Sequence, residues 1–161
     1  MTEKINVTFT INGMEHQGEI EPRMLLVDYI RQELKLTGTH VGCEHGVCGA
    51  CTILLNGQAV RACIMLAVQA QGQQIETVES LATSADNMHP LQDGFWEAHG
   101  LQCGFCTPGF LMTLKPYLEE NPHPSEADIR EAISGNICRC TGYQHIVDAV
   151  QIAAEKLEAK A

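Results

Sequence analysis

Apolar and polar residues alternate near the start of the chain. Ile5, Val7, Phe9 and Ile11 are separated by Asn6, Thr8 and Thr10. A period of two puts the apolar set on one face of a half-buried strand. Asn12-Gly13 then predicts a tight turn, and residues 16–20 return as the second strand of a hairpin. The period changes over residues 24–36, where Leu26, Tyr29, Ile30, Glu33 and Leu34 fall near one helical stripe. Pro22 suits the start of that helix. A short strand over residues 52–55 ends in a second Asn-Gly turn, Asn56-Gly57, and residues 75–78 supply a last strand. Two hairpin turns around one helix predict a β-grasp arrangement.

Beyond residue 90 the pattern is helical. Residues 91–99 form one helix and residues 108–120 another, with Pro108 at an allowed first-turn position. Pro116 should kink the second, because it cannot donate to the carbonyl of Met112. Ser125 and Asp128 resemble a capping box opening a helix to Ser134, which Gly135 can end. A last helix over residues 143–157 carries Ile146, Val150, Ala153, Ala154 and Leu157 on one face. The fold class expected is α+β: a β-grasp domain over residues 1–78, a connector over 79–90, and a four-helix bundle domain over 91–161.

Net charge excludes some partners. The chain carries 20 acidic and 10 basic residues, a formal charge of −10. Nucleic acid needs a basic surface, so it is not an expected partner. No basic run suits an anionic membrane, and no apolar run approaches the ~18 residues of a membrane span. The first residues, MTEKINVTFTING, contain no apolar stretch of a secretory signal, so the expected location is the cytoplasm. In that reducing compartment disulfides are disfavoured, and eight cysteines point to a metal or cluster.

The first group is Cys43-x4-Cys48-x2-Cys51-x11-Cys63. Its C-x4-C-x2-C part is the plant-type [2Fe–2S] ferredoxin spacing. Three thiolates arrive from one loop and the fourth closes the cage from beyond a hairpin. Gly42, Gly46 and Gly49 leave backbone N–H groups near sulfur. Structural zinc prefers paired knuckles, and a Rieske centre needs a second histidine besides His45. The second group, Cys103-x2-Cys106-x31-Cys138-x1-Cys140, is less specific. It admits an iron–sulfur cluster, zinc, or a thioredoxin-like pair at Cys103-Gly104-Phe105-Cys106. Both of its pairs precede helices, whose N-termini favour an anionic ligand set.

Together, GCEHGVCGACTILLNG, GLQCGFCTPGFLM and GNICRCTGYQHIVDAV resemble the iron–sulfur subunit of the molybdenum hydroxylases, the xanthine oxidase family. The stand-alone small subunits of bacterial carbon monoxide dehydrogenase and related N-heterocycle or aldehyde hydroxylases look most similar. The resemblance spans about residues 4–157. It implies a plant-ferredoxin-like β-grasp domain and a helical domain. It implies one [2Fe–2S] cluster on Cys43, Cys48, Cys51 and Cys63, and a second on Cys103, Cys106, Cys138 and Cys140. It also implies a large partner subunit with molybdopterin, in bacteria often the cytosine dinucleotide form, and a medium partner with FAD, assembled as a dimer of heterotrimers. Gln102 and Cys140 would approach the pterin, although the residues alone make Gln102 an ordinary exposed polar side chain. Electrons would pass from molybdenum through the second cluster, then the first, to FAD. A stand-alone two-cluster ferredoxin is the alternative, and a zinc-binding interaction module a third.

No nucleophile–base pair and no Gly-rich phosphate loop stands out, so substrate turnover is expected only on a partner. Phe110, Leu111, Leu114 and Leu118 read as bundle core, and Met65 and Met112 as packing residues. His40 and His45 flank the first cysteine loop, and Arg139 lies between two cysteines.

Overall fold

The computed structural model describes residues 3–82, 84 and 87–159. The expected connector therefore falls partly outside the described residues, at 83, 85 and 86, as do the outermost ends of both expected domains.

Strands β1 (Ile5–Ile11) and β2 (Met14–Ile20) form the first hairpin, closed by the Ile11↔Met14 pair. Asn12 and Gly13 both have positive φ, as the right-handed twist of a two-residue hairpin requires. Strands β3 (Thr52–Leu55) and β4 (Gln58–Arg61) repeat the device around Asn56 and Gly57. Strand β5 (Gln74–Glu76) lies between the hairpins, parallel to β1 and antiparallel to β3, so the five-stranded order is β2-β1-β5-β3-β4. The turn asparagines also hold β5. The Asn12 carboxamide bonds the Thr77 amide and hydroxyl, each at 2.9 Å, and the Asn56 side-chain Oδ1 accepts from the Gln74 amide.

The expected helix over 24–36 is shorter and differently wound. Helix α1 (Leu26–Asp28) passes into a π-helical turn over Tyr29–Glu33, and Leu34 N–H bonds the Tyr29 carbonyl at 3.2 Å. The wider turn adds a residue and brings both Leu34 and Leu36 onto the core. Lys35, at φ 60, lies outside regular helix. Pro22 stands before the helix and not in its first turn. Phe9, Ile11, Leu26, Ile30, Ile53 and Ile75 are fully buried between α1 and the sheet. Each such side chain stabilises the fold by about 1.5–3 kcal/mol.

The second half carries α2 (Pro90–Glu97), α3 (Thr107–Glu120), α4 (Glu126–Ala132) and α5 (Gln144–Glu158). Pro90 occupies the first turn of α2, where its missing N–H costs no hydrogen bond. Helix α3 continues through Pro116. The capping box at α4 forms: the Ser125 hydroxyl accepts from the Asp128 amide, and the Asp128 carboxylate accepts from the Ser125 amide. The expected stripe Phe110, Leu111, Leu114 and Leu118 is buried, together with Phe95, Met112, Ile146 and Val150. Leu54 of β3 belongs to the same cluster, so the helices are seated on the sheet. The finding is an α+β fold with a mixed sheet. Among the described residues no helix is long and apolar enough to cross a membrane.

Lys115 ties α3 to the sheet through Glu76 of β5 at 3.4 Å and to Glu119 at 3.2 Å. Partial burial presses its pKa down, but the two carboxylates outweigh this and hold it above the ordinary 10.5. A raised folded pKa gives stability that is complete below 10.5 and is lost as pH rises through the folded value. Such partly exposed pairs are worth about 0.2–1 kcal/mol. Urea midpoints of wild type and Lys115→Met should therefore differ at neutral pH and converge above pH 10.5.

Candidate functional site: two paired-thiol centres

The eight cysteines gather into two centres, and within each centre they gather in pairs. In the first, the Cys43 sulfur accepts from the Cys48 amide at 3.4 Å, and the Cys43 and Cys48 thiols are in contact. The Cys51 and Cys63 thiols form the other pair. In the second, the Cys103 and Cys140 sulfurs lie 3.6 Å apart, and the Cys106 and Cys138 thiols are in contact. Two sulfurs on one tetrahedral metal, each about 2.3 Å from it, lie about 3.8 Å apart. The Cys103–Cys140 pair is thus spaced for one metal atom, and the same two-by-two grouping of neighbouring thiols recurs in the rest of both centres. A single zinc would draw four ligands to one point. Among the described residues no three Cys, His, Asp or Glu side chains converge so.

Each centre has an inner and an outer pair. Cys51 and Cys63 are buried, at 1% and 3% exposure, whereas Cys43 and Cys48 are half-buried. Cys138 is buried and Cys106 half-buried, whereas Cys103 and Cys140 are exposed. Electrostatics depend on each thiol's own donors as well as on burial. Backbone amides of Cys48 and His45 bring Cys43 down to about 6. Burial pushes Cys51 and Cys106 up to about 12. Burial also presses on Cys138, but the Thr141 hydroxyl and amide outweigh it and draw that thiol below its ordinary value. A bound metal removes such protons outright.

Local backbone makes these positions possible. Gly46 and Gly49 sit at φ +82 and +74 in the first loop. A Cβ at Gly42 would stand 3.1 Å from the Cys48 sulfur. In the second centre Cys106 caps the N-terminus of α3, and Cys138 and Cys140 lead into that of α5. Both positive helix ends therefore face a set of thiolates. The Thr107 hydroxyl, beside Cys106, is buried without a hydrogen-bond partner among the described residues, a donor that a sulfur acceptor would satisfy. The thiol-only donor set, its paired spacing and these donors fit [2Fe–2S] clusters.

The two centres interlock. The Ile137 amide, next to Cys138, donates to the Cys48 carbonyl at 2.9 Å. Buried Asn136 donates to the Gly49 carbonyl at 3.3 Å and accepts from Thr113 at 3.1 Å. Arg61 bonds Thr52 at 2.6 Å and the Gly135 carbonyl at 2.8 Å. His40, ahead of the first loop, stacks on Phe105 of the second loop at 4.8 Å and bonds its carbonyl at 2.7 Å. His45 turns its ring to the Cys43 carbonyl. Gln102 and Arg139 are exposed. Sequence reasoning missed Asn136, Arg61 and Thr141. Arg61 and Asn136 reach backbone carbonyls far away in sequence, which leaves no spacing to read, whereas Thr141 bonds the sulfur three residues before it, so its signal is the local Cys-x-x-Thr spacing.

Comparison with known proteins agrees with this geometry. A family model described as a 2Fe-2S iron-sulfur cluster binding domain matches residues 4–93, and one described as a [2Fe-2S] binding domain matches residues 77–151. The 6-hydroxypseudooxynicotine dehydrogenase complex subunit beta of Paenarthrobacter nicotinovorans is 60% identical over 144 residues, covering 89% of each chain. Quinoline 2-oxidoreductase from Pseudomonas putida 86 contains a chain 49% identical, with a TM-score of 0.92 and 97% of both chains covered. Aldehyde oxidoreductase from Desulfovibrio gigas is 44% identical with a TM-score of 0.90, and there the match covers 98% of this chain but 18% of that one. Two cluster-binding modules in one chain, over the same fold as these relatives and nearly the same length as the first two, mark it as a member of the iron–sulfur small subunits of the molybdenum hydroxylases.

Proposed function

We propose that this chain carries electrons between a large molybdopterin-binding subunit and a medium FAD-binding subunit. The observation that carries the reading is the pair of four-thiol centres joined directly by the Ile137–Cys48 hydrogen bond. Cys43, Cys48, Cys51 and Cys63 would hold one cluster, and Cys103, Cys106, Cys138 and Cys140 the other. A [2Fe–2S] cluster accepts and releases one electron at a time, which lets a two-electron oxidation be divided between centres. The chain's own residues hold the thiolates in place, bury the inner pair and supply N–H and O–H donors to sulfur.

The surface supports a subunit over a free ferredoxin. Val47 and Ile64 are 56% and 60% exposed beside the first centre, and Phe105 and Ile137 are 47% and 50% exposed beside the second. An apolar rim at each centre suits a docked partner at each. The Desulfovibrio gigas relative, where the same fold is a small part of a larger chain, supports a large partner. Exposed Gln102 and Cys140 would approach its pterin, in the cytosine dinucleotide form. The assembly is read as a cytoplasmic dimer of heterotrimers. The chain is divided as a ferredoxin-like domain over 1–78, a connector over 79–90 and a four-helix bundle over 91–161.

The relatives' names include quinoline, an aldehyde and 6-hydroxypseudooxynicotine, so substrate choice is placed on the large subunit. Purification from the native host tests the reading. The expected result is co-elution with a molybdenum-containing chain and a flavin-containing chain. Elution alone as a monomer that reduces unrelated partners overturns it in favour of the free ferredoxin.

A further inference from the structure

We propose that Thr141 is a positioning residue that raises the reduction potential of the second centre by holding its hydroxyl proton on the Cys138 sulfur. This rests on the reading that Cys103, Cys106, Cys138 and Cys140 hold a [2Fe–2S] cluster. The Thr141 hydroxyl lies 3.2 Å from that sulfur, and the Thr141 amide lies 3.5 Å from it. Among the described residues no other side-chain hydroxyl is bonded to any of the eight cysteine sulfurs.

The direction of the hydroxyl is set by its neighbour. A threonine hydroxyl has one proton and two acceptor lone pairs. Tyr143 N–H donates to the Thr141 oxygen at 3.2 Å, so the hydroxyl is already an acceptor and its single proton is left for sulfur. Tyr143 can do this because its backbone is left-handed, at φ 73. Its own hydroxyl accepts from the Cys138 amide at 3.0 Å, and its ring packs edge-on against buried Phe110. Cys138, Thr141 and Tyr143 thus form a closed ring of hydrogen bonds around one inner sulfur. Chained bonds of this kind strengthen one another in a low-dielectric interior.

The consequence is electrochemical. A cluster that takes up one electron gains one negative charge, so a donor to its sulfur stabilises the reduced form more than the oxidised form. The first centre differs, because the donors around Cys43 are backbone amides, which no side-chain replacement deletes. The Thr141 hydroxyl is a donor that the sequence can add or remove, and it acts on one centre alone. It therefore adds to the potential difference between two centres joined by the Ile137–Cys48 hydrogen bond.

The test is a potentiometric titration of the full chain carrying both clusters, reduced stepwise with dithionite and followed by EPR. The Cys106→Ser variant identifies the second centre's signal by its loss. For Thr141→Val, the reduced-to-oxidised ratio of the second centre at fixed potential should fall about tenfold, a shift of about 59 mV for one electron. The first centre should not move, and Thr141→Ser should restore the wild-type value. Three results overturn the proposal: an unchanged second potential in Thr141→Val, an equal shift of both centres, or a shift in Thr141→Ser as large as that in Thr141→Val. If Thr141→Val fails to hold its cluster, the unsubstituted protein still decides. Transfer to D2O should shift the Fe–S stretching bands of the second centre in resonance Raman spectra, and unshifted bands overturn the proposal. A purified chain that gives no [2Fe–2S] signal at all overturns the cluster reading itself.

Discussion

Gly109→Ala is expected to unseat α3 from the first cysteine loop. An added Cβ would stand 2.2 Å from the Gly49 carbonyl oxygen and 3.0 Å from the Ala50 Cα. Both are backbone atoms, so no rotamer change can relieve the contact. The same Gly49 carbonyl is held by the Asn136 carboxamide at 3.3 Å, so moving it away also breaks a buried hydrogen bond. Overpacking costs about 1–3 kcal/mol where side chains can move, and this contact belongs at or above the top of that range. In an open helix the same change would stabilise by about 1 kcal/mol, so the sign of the effect is itself a test. For a chain of this length about 3 kcal/mol lowers the thermal midpoint by about 6–12 °C. The first cluster should be lost more readily than the second. Gly57→Ala separates the two causes: Gly57 sits at φ +80 and meets nothing within 4 Å, so its loss is backbone strain alone, whereas Gly109 is helical and its loss is steric. A Gly109→Ala protein that is as stable as wild type would show that α3 and the loop do not touch as described.

Serine at an inner cysteine should remove one cluster and spare the other. Cys106→Ser is expected to lower iron by about half and abolish one of two EPR signals, and Cys51→Ser to abolish the other. The Cys51 thiol is buried and the Cys106 thiol half-buried, and a serine at either places a poorer ligand on the sheltered side of its centre. Cys103→Ser should be milder, because that position is exposed and its oxygen can stay on the metal. Metal binding contributes folding free energy, so the Cys51 and Cys106 variants should also unfold at lower denaturant than wild type. Metal analysis of each variant settles the pattern. Zinc in the wild-type protein, or loss of both clusters on any single substitution, would contradict two separable two-metal centres.

Much of the fold was legible because local chemistry decides it. Alternation over Ile5–Ile11 marks a strand whatever lies opposite it. Asn-Gly pairs adopt positive φ on their own account, and Ser125 with Asp128 caps a helix using only neighbouring amides. The C-x4-C-x2-C loop is local in the same sense. The helix over 24–36 was overextended, because apolar spacing cannot distinguish a regular helix from a π turn that brings Leu34 and Leu36 to the same core. Strand β5 starts one residue and ends two residues earlier than the expected 75–78, because its ends are set by Asn12 and Asn56, far away in sequence.

The sequence by itself determined that eight thiols fall into two groups, which halves carry them, and which elements lead into them. Only the tertiary structure decided how they pair: Cys43 with Cys48, Cys51 with Cys63, Cys103 with Cys140, and Cys106 with Cys138. It alone joined the centres through Ile137 and Cys48. The reason is that spacing limits which ligands can meet within a loop. The choice between inner and outer positions depends on packing between distant segments, where Gly109 and Gly49 touch backbone to backbone and leave no side chain to read.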